Sequence, residues 1–419
     1  MKKVVSSSTI EGTVNAPASK SVMIRAVAAS LLASGVSRIA NPSFCDDGLV
    51  ALRIAETLGA EIDKSDSAVT VSGNGDLRQK RIKGNILDCG ESGLCMRMFA
   101  PIAGLLEQEI TLEAGGSLRS RPMTMVQELA QLGVICATNG GFAPITVKGR
   151  MGAGRVHISG SESSQFLTGL LMALPLCPGG SAVTVPDLKS RPYVELTVDV
   201  MRRFGVAVRH DEGLTDFHIK GIGHYSAQDI TVEGDWSGAA FLLVAGALAG
   251  SITVNGLNAD SRQADKAVTE ALIRAGSRMK VVGDSVSVSN DKLEAFDFDA
   301  SNCPDLFPAL AVLAGACAGK SVIYGADRLK YKESDRASAL ASELAKLGIR
   351  IDVCENRMEI TGGAYHGATI DSHNDHRIAM ACTVAALRGK GEVVIENAEC
   401  VSKSYPSFFE DLDSVRVKR

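Results

Sequence analysis

The chain of 419 residues is poor in aromatic side chains and has no large excess of charge of either sign. Aromatic residues make up 5% of the sequence, with a single tryptophan, whereas glycine occurs 42 times. A core of this composition must be built from aliphatic side chains and methionine with close backbone approaches. The 44 Lys and Arg residues against 48 Asp and Glu residues give a net charge of -4. This balance excludes a basic protein that coats nucleic acid, because such a coat needs clustered cations.

Long hydrophobic runs and paired cysteines are missing as well. The longest apolar stretches, such as residues 238–250, fall short of the roughly 20 residues that a membrane-spanning helix needs. The start MKKVVSSSTIEG lacks the apolar segment of a secretion signal. The ten cysteines are scattered singly, without CxxC pairs or Cys/His clusters of zinc spacing. These absences predict a soluble, cytoplasmic protein with free thiols and no bound metal.

What the sequence does contain is a concealed repeat. An amphipathic helix pattern that ends in glycine and runs into a β-rich stretch recurs along the chain, with its glycines at Gly59, Gly133, Gly205, Gly276 and Gly348. These glycines lie 74, 72, 71 and 72 residues apart, and each is placed where a left-handed helix C-cap favours glycine. The chain end fits a sixth copy with Ser414 in the glycine position. The sequence therefore divides into six units of about 70 residues.

A second helix pattern, polar at its start and apolar on nearly all faces, recurs out of phase with the first. Its leading residues are Ser21, Ser92, Ser163, Asp235, Asp305 and Asp375. Each is expected to cap a helix, and a helix that is apolar all round is a buried one. A serine cap leaves the positive helix end open to an external anion, whereas an aspartate already supplies a carboxylate. We therefore predict two pseudo-symmetric α/β domains of three units each, with phosphate binding in the first and a general base, Asp305 or Asp375, in the second.

Several charged segments lie at or near these helix starts, and singly each is typical of a helix cap or a solvated helix face. In chain order they include ASKSVMIRAVAASLLASG, LRSRPM, SGSESSQFLTGLLMALP, SRPYVELTVDVMRRFGV, VEGDWS, YKESDR, HNDHRIAM and CVSKSYPSFF. Together they resemble the 5-enolpyruvylshikimate-3-phosphate synthases, also called 3-phosphoshikimate 1-carboxyvinyltransferases, over residues 1–419. The resemblance implies two pseudo-symmetric, inside-out α/β domains, each of three βαβαββ repeats. We expect the domains and crossovers at these positions: 14–227 for the first domain, 1–13 with 228–419 for the second, and crossovers near 13–20 and 225–235.

The resemblance implies an enzyme that transfers the enolpyruvyl group of phosphoenolpyruvate to the 5-hydroxyl of shikimate 3-phosphate and releases phosphate. The reaction belongs to the pathway to chorismate and the aromatic amino acids. It requires neither a metal nor an organic cofactor, and the family resemblance favours a monomer whose domains close on the two substrates. Two alternatives stay open. One is an enzyme that transfers the enolpyruvyl group to UDP-N-acetylglucosamine, and the Ser163-Ser164-Gln165 segment argues against it. The other is a non-catalytic anion-binding protein on the same fold.

The matching motif positions supply candidate substrate contacts. For shikimate 3-phosphate they are Lys20, Ser21, Arg25, Ser163, Ser164, Gln165, Ser190, Asp305 and Lys332. For phosphoenolpyruvate they are Lys20, Gly93, Arg121, Gln165, Arg336, Arg377 and Lys403. Protonating the methylene carbon of phosphoenolpyruvate creates a cationic centre for the hydroxyl to attack, so the reaction needs an acid and a base. We expect Asp305 to be the base and Glu333 with Lys20 to donate the proton, with His376 as a further participant.

Four positions depart from the family pattern. Glu91 and Leu94 stand where Asn and Thr are usual, and Met98 stands where Pro is usual. Arg328 replaces an Asn that normally contacts the phosphorylated substrate. Leu94 and Met98 lie beside Gly93, which the resemblance implies is the narrow point for phosphoenolpyruvate and for the herbicide glyphosate. We therefore expect weaker inhibition by glyphosate than in members with Thr and Pro.

Overall fold

The computed structural model describes residues 1–75, 77, 82–161 and 164–417. Its α-helices are α1 (Lys20–Leu32), α2 (Asp46–Thr57), α3 (Gly93–Ala103), α4 (Ser164–Ala173), α5 (Arg191–Arg203), α6 (Trp236–Ala249), α7 (Val268–Arg274), α8 (Phe307–Gly315), α9 (Arg336–Lys346), α10 (His376–Arg388) and α11 (Phe408–Ser414). Short 3₁₀ segments cover Gly116–Ser120, Thr124–Leu132, Leu174–Leu176, Ala264–Ala267, Pro304–Leu306, Ala326–Leu329 and Ala398–Lys403. Within these described ranges, the helices are all too short or too polar to cross a membrane.

The strands are short, as expected for a chain that alternates between helix and sheet. They are β1 (Lys2–Ser6), β2 (Ile10–Asn15), β3 (Ala33–Ala40), β4 (Glu61–Lys64), β5 (Ala68–Asn74), β6 (Ile86–Asp88), β7 (Ile110–Glu113), β8 (Ile135–Asn139), β9 (Phe142–Lys148), β10 (Arg155–His157), β11 (Ser181–Thr184), β12 (Val208–His210), β13 (Asp216–Ile219), β14 (Tyr225–Ser226), β15 (Asp229–Thr231), β16 (Gly250–Asn255), β17 (Arg278–Val282), β18 (Ser285–Ser289), β19 (Asp297–Asp299), β20 (Lys320–Tyr324), β21 (Arg350–Val353), β22 (Arg357–Thr361), β23 (Thr369–Asp371) and β24 (Glu392–Glu396).

The chain divides into two compact units. The first unit is Lys20–Val232, and the second unit is Met1–Ser19 with Glu233–Arg419. The boundaries thus lie a few residues later than the expected 13/14 and 227/228. The first difference arises because β2 pairs along its whole length with β16, which keeps residues 14 and 15 in the second unit. The second arises because β15 pairs in parallel with β3, which keeps it in the first unit.

Each repeat builds one sheet, and a common strand order recurs with variations at the sheet edges. In the repeat that begins at β6, β6 lies parallel to β7, and β9 lies between β7 and β8 and is antiparallel to both. The sheets β10-β11-β13-β12 and β19-β20-β22-β21 have the same order. The sheets that contain β3 and β16 take their first strand from a distant segment, because β14 and β15 pair in parallel with β3 and β2 pairs in parallel with β16. The last sheet joins β23, β24 and the N-terminal β1. The βαβαββ repeats expected from the family resemblance are therefore confirmed.

The second helix pattern forms the core, as predicted. Nearly every residue of α3, α6, α8 and α10 is buried. In the second unit α6, α8 and α10 pack against one another. In the first unit α3 packs against α4 so closely that a Cβ on Gly169 would lie 2.2 Å from the carbonyl oxygen of Met98. Small residues at such contacts let helix backbones approach, which is how a chain with few aromatic residues fills its interior.

The glycine positions of the first pattern are confirmed where glycine is present. Gly59, Gly133, Gly205, Gly276 and Gly348 adopt φ values of 101°, 80°, 84°, 84° and 92°, in the left-handed region that favours glycine. Two details differ from the prediction. The segment before Gly133 is a 3₁₀ helix, Thr124–Leu132, instead of an α-helix. In the sixth copy α11 ends at Ser414 and the next residue, Val415, has φ −107°, so this end has no left-handed cap.

The predicted N-caps are correct at three positions. Ser92, Asp235 and Asp375 each accept a hydrogen bond from a backbone N–H in the first turn of the helix that follows. The prediction is wrong at Ser21, which is the second residue of α1. It is also wrong at Asp305, which lies in the 3₁₀ turn Pro304–Leu306 ahead of α8 and directs its carboxylate to side-chain cations instead. Ser163 lies outside the described residues.

Candidate active site

At the start of α1, the first unit places a lysine beside a buried carboxylate. The Nζ of Lys20 lies 3.0 Å from Oδ2 of Asp47, in the first turn of α2, and the two side chains are 15% and 12% exposed. Sequence reasoning missed Asp47, because an acidic residue in the first helical turn is usually explained by the helix dipole. The short distance and the low exposure make this ion pair less screened than a surface pair.

Arg25 ties the start of α1 to the start of α5. Its Nε donates to Oγ1 of Thr197 at 2.9 Å, and its Nη1 and Nη2 donate to the backbone oxygens of Ser21 and Tyr193. Burial lowers the pKa of Arg25 to about 10, so the guanidinium stays charged at neutral pH. Arg25 therefore organises the helix starts that carry Ser21 and Ser190, two further predicted contacts. Ser190 itself is buried, and its backbone adopts the left-handed conformation with φ 53°.

Two guanidinium groups converge on Gly93, the first residue of α3. A Cβ at this glycine would lie 2.8 Å from Nη1 of Arg97 and 3.1 Å from Nη1 of Arg121. Arg97 donates from the same Nη1 to Oε1 of Gln165 at 2.9 Å, and from Nη2 to the backbone oxygen of Pro122. The structure thus brings together Gly93, Arg121 and Gln165, and it adds Arg97, to which the sequence analysis assigned no role. Ser164, the first residue of α4, is buried next to Gln165 in sequence.

Glu91 holds the segment that leads into Arg121. Its Oε2 accepts hydrogen bonds from the backbone N–H and the hydroxyl of Ser117, at 3.1 and 2.9 Å. The neighbouring Gly116 has φ 42°, and a Cβ there would lie 2.3 Å from the carboxyl carbon of Glu91. One carboxylate oxygen can accept two such hydrogen bonds because it carries two lone pairs. The residue that departs from the usual Asn is therefore part of the local architecture.

In the second unit, Asp305 faces three cations. Its Oδ1 lies 3.2 Å from Nζ of Lys332 and 2.9 Å from Nη1 of Arg336, and its Oδ2 lies 3.3 Å from Nη2 of Arg377. These contacts explain why the carboxylate does not cap α8. Burial lowers the pKa of Lys332, and the charge of Asp305 acts in the opposite direction. A carboxylate that is an acceptor only, surrounded by donors, is held in one orientation.

Arg336 is the centre of this cluster. It is fully buried at the start of α9 and pairs with three carboxylates, those of Asp305, Glu333 and Asp375. Burial alone would lower the pKa of Arg336, but the three carboxylates outweigh it and the pKa is raised. Burial alone would likewise raise the pKa of Asp375, but Arg336 outweighs it and this pKa is lowered. The cluster therefore carries its own counter-charges.

The remaining predicted residues of this unit lie around the start of α10. Arg377 donates to the backbone oxygen and to Oδ2 of Asp305, both at 3.3 Å. Lys403 donates from Nζ to the backbone oxygen of Asn374 at 2.7 Å. His376 opens α10, is buried, and has its Nδ1 3.8 Å from Oδ1 of Asp375. The structure thus joins Asp305, Lys332, Glu333, Arg336 and Arg377 by direct ion pairs and places His376 beside them.

Two other charged residues belong to the same surroundings. Arg328 lies in the 3₁₀ segment Ala326–Leu329, and burial lowers its pKa while Asp327 and Asp305 raise it. Asp265 is fully buried and accepts a hydrogen bond from the hydroxyl of Ser237. Burial, and after it the nearby charge of Asp305, raise the pKa of Asp265 to about 6. Sequence reasoning missed Asp265, which lies in the 3₁₀ segment Ala264–Ala267 beside Lys266 and has no sequence signal of its burial.

Each unit therefore offers guanidinium and ammonium groups at helix starts, with carboxylates in direct contact with them. These carboxylates are Asp47 in the first unit and Asp305, Glu333 and Asp375 in the second. Such a set can bind phosphate and carboxylate groups, because charge-assisted hydrogen bonds from arginine suit both. It can also move protons, because carboxylates next to cations are available as ionised bases. Among the residues that the structure describes, no three His, Cys, Asp or Glu side chains are arranged to hold a metal ion.

Comparison with known proteins identifies the family. The family model described as EPSP synthase (3-phosphoshikimate 1-carboxyvinyltransferase) matches residues 4–412. The 3-phosphoshikimate 1-carboxyvinyltransferase of Clostridium novyi is 37% identical over 97% of this chain and 96% of its own, and that of Methanocorpusculum labreanum is 39% identical over 99% and 98%. The structure of EPSP synthase from Acinetobacter baumannii superposes with a TM-score of 0.82 at 25% identity, over 100% of this chain and 98% of its own. The chain therefore belongs to the EPSP synthase family.

Proposed function

We propose that the protein catalyses transfer of the enolpyruvyl group of phosphoenolpyruvate to the 5-hydroxyl of shikimate 3-phosphate, with release of phosphate. The observation that carries this proposal is the coincidence of two findings. Family membership extends over nearly the whole chain, and the motif residues form ion-paired clusters at helix starts in both units. A non-catalytic anion-binding protein would need the cations but not the carboxylates that contact them.

The two substrates are assigned to residues by the chemistry of their anionic groups. We assign the phosphate of shikimate 3-phosphate to the hydroxyls and the helix start around Ser164 and Gln165, because backbone N–H groups and the helix dipole favour an anion there. The full set proposed for this substrate is Lys20, Ser21, Arg25, Ser163, Ser164, Gln165, Ser190, Asp305 and Lys332. The set proposed for phosphoenolpyruvate is Lys20, Gly93, Arg121, Gln165, Arg336, Arg377 and Lys403.

The chemistry needs two opposite proton transfers. A proton is added to the methylene carbon of phosphoenolpyruvate, and the 5-oxygen forms a bond to the adjacent carbon while it loses its own proton. Because the product keeps a methylene group, a proton must then leave the new methyl group as phosphate departs. We propose that Asp305 accepts the proton of the 5-hydroxyl. Glu333 with Lys20 donates the proton to the methylene carbon, and His376 is a further participant. The guanidinium groups stabilise the charge on the departing phosphate.

We also propose that the protein is cytoplasmic and monomeric. The ten cysteines, all within the described ranges, are free thiols, which is typical of a reducing compartment. Size-exclusion chromatography with light scattering measures the oligomeric state, and a stable dimer would contradict the monomer.

The test of the function is phosphate release with phosphoenolpyruvate and shikimate 3-phosphate, run beside the same assay with UDP-N-acetylglucosamine. We expect release with shikimate 3-phosphate alone. Release with UDP-N-acetylglucosamine alone would show that the sugar nucleotide is the acceptor and that the reaction is still enolpyruvyl transfer. Release with neither would favour the non-catalytic anion-binding protein.

Substituting Gly93→Ala is expected to raise KM for phosphoenolpyruvate about tenfold, because small displacements of substrate-binding groups are costly. The new Cβ would lie 2.8 Å from Nη1 of Arg97 and displace both guanidinium groups. Gly152→Ala is the matched control, since its Cβ would meet nothing closer than 3.6 Å. Steady-state kinetics measure both variants, and equal KM values for the wild type and Gly93→Ala would contradict the assignment.

Inhibition by glyphosate is expected to be weaker than in members with Thr and Pro at the positions of Leu94 and Met98. Both side chains are buried on α3 beside Gly93, and the backbone of Met98 is pressed against Gly169 of α4, so α3 has little freedom to adjust to an inhibitor. The inhibition constant against phosphoenolpyruvate measures this, with Leu94→Thr as the variant expected to lower it. An inhibition constant no higher than in those members would show that Leu94 and Met98 do not weaken inhibition by glyphosate.

A further inference from the structure

The turn between β23 and α10 has an unusual backbone. His373 and Asn374 are consecutive non-glycine residues with φ values of 52° and 54°. Left-handed conformations are unfavourable for side chains with a Cβ and persist only where the surroundings hold them. The turn also contacts the cation cluster, because the backbone oxygen of Asn374 accepts a hydrogen bond from Lys403 and the next residue, Asp375, pairs with Arg336.

A buried carboxylate on α9 holds this turn. The side chain of Glu343 is 2% exposed, and its Oε1 lies 3.0 Å from Nε2 of His373. Since a carboxylate is only an acceptor, Nε2 carries the hydrogen and donates it. The Oε2 of Glu343 accepts from the backbone N–H of Asp371 at 3.0 Å, and Oδ1 of Asp371 accepts from the backbone N–H of His373 at 2.8 Å. Glu343 thus binds the turn at two points.

The ionised state of Glu343 follows from its donors. Burial alone would raise its pKa, but Lys346, His373, the N–H of Asp371 and Ser342 outweigh it, and the pKa is lowered. Lys346 lies on the same helix and donates to the same carboxylate at 2.6 Å. Lys346 therefore helps to keep ionised the carboxylate that accepts from His373.

The turn reaches three of the cations assigned to phosphoenolpyruvate. Asn374 holds Lys403 through its backbone oxygen, and Asp375 holds Arg336 through its carboxylate. The carboxylate of Asp375 also accepts from the backbone N–H of Arg377. By contrast Lys332, assigned to shikimate 3-phosphate, is bound to Asp305.

We propose that Glu343 and His373 are positioning residues for the phosphoenolpyruvate half of the site, acting through the turn at residues 371–375. They set the places of Lys403, Arg336 and Arg377. This inference rests on the proposed function, and it adds two residues that the motif positions did not mark.

The test compares His373→Leu with His373→Gln. Both substituents carry a Cβ in the same left-handed backbone, but only glutamine can donate to Glu343 at a reach similar to that of Nε2. His373→Leu is expected to raise KM for phosphoenolpyruvate about tenfold and to change KM for shikimate 3-phosphate less than about twofold. His373→Gln is expected to recover most of the loss. Glu343→Gln is expected to act like His373→Leu. Lys292→Ala, which removes an exposed ion pair with Glu294 in the same unit, is the control and should leave both KM values unchanged.

Three outcomes would overturn the inference. They are an equal rise of both KM values, no difference between His373→Leu and His373→Gln, or the same effect from Lys292→Ala. His373 is 36% exposed, so its variants should fold even if Glu343→Gln does not, which circular dichroism checks. A wild-type protein that releases no phosphate with the two substrates would overturn the proposed function itself. An active wild type with unchanged KM values in the His373 variants overturns only this inference.

Discussion

Substituting Asp305→Asn is expected to lower kcat about 10³-fold, because the amide cannot accept the proton of the 5-hydroxyl. KM for phosphoenolpyruvate should stay the same or fall. The substitution removes one negative charge from the group formed by Lys332, Arg336 and Arg377, which leaves those cations more available to an anion. Steady-state phosphate release measures both constants.

The matched control for this variant is Asp327→Asn, the same chemical change at an exposed carboxylate in the same unit. It should leave kcat unchanged. Equal kcat values for the wild type and Asp305→Asn would remove Asp305 as the base. A large rise in KM with kcat preserved would instead assign Asp305 to binding, since an interaction lost equally in the ground state and the transition state changes KM alone.

Substituting Arg336→Met is expected to lower the free energy of unfolding by about 3–5 kcal/mol, which is typical when one partner of a buried ion pair is removed. The fully buried guanidinium is the shared partner of Asp305, Glu333 and Asp375, and methionine leaves three carboxylates facing one another. Urea unfolding measures the loss. Arg350→Met is the control, because the Arg350–Asp352 pair is exposed and pairs of that kind contribute little.

The pH dependence of this loss has a definite sign. In the wild type the pKa of Asp375 is lowered, so its contribution to stability is present above its unfolded pKa of about 3.9 and is lost as the pH falls through the folded value. Arg336→Met removes the guanidinium that lowers the pKa of Asp375, so burial raises this pKa in the variant. Protonation of Asp375 as the pH falls then removes an unfavourable buried charge and stabilises the variant. The difference in unfolding free energy should therefore shrink from pH 7 toward pH 4. A difference that is constant over this range would mean that Asp375 is not the residue left uncompensated.

The repeat could be predicted from the sequence because it is local. Glycines that end a helix in the left-handed region recur at a regular spacing, and a helix without a polar face must be buried, so no long-range information is needed. The same local rules gave a wrong prediction where charges from distant parts of the chain determine the orientation of a side chain. Asp305 has the sequence position of an N-cap, but three cations from α9, α10 and the segment before α9 draw its carboxylate away from the helix.

The residues that sequence reasoning missed share one property, which is that their partners are distant in the chain. Asp47 on α2 pairs with Lys20 on α1, and Glu343 on α9 contacts His373 in the turn after β23. A signal was present for Glu343, because it lies beside Leu344 and in helical register with Leu340 on the apolar face of α9. A charged residue on such a face must find buried partners. The identity of those partners follows only from the fold.

The two N-terminal strands have a consequence for the order in which the protein folds during synthesis. β2 pairs with β16 and β1 pairs with β24, so these two strands leave the ribosome well before their partners and belong to the unit that is completed later. The first unit is one continuous segment, Lys20–Val232, and all its strand partners are available once β15 has emerged. Because domains generally fold as units during translation, the nascent chain should hold a folded first unit while β1 and β2 wait for partners that have yet to be made.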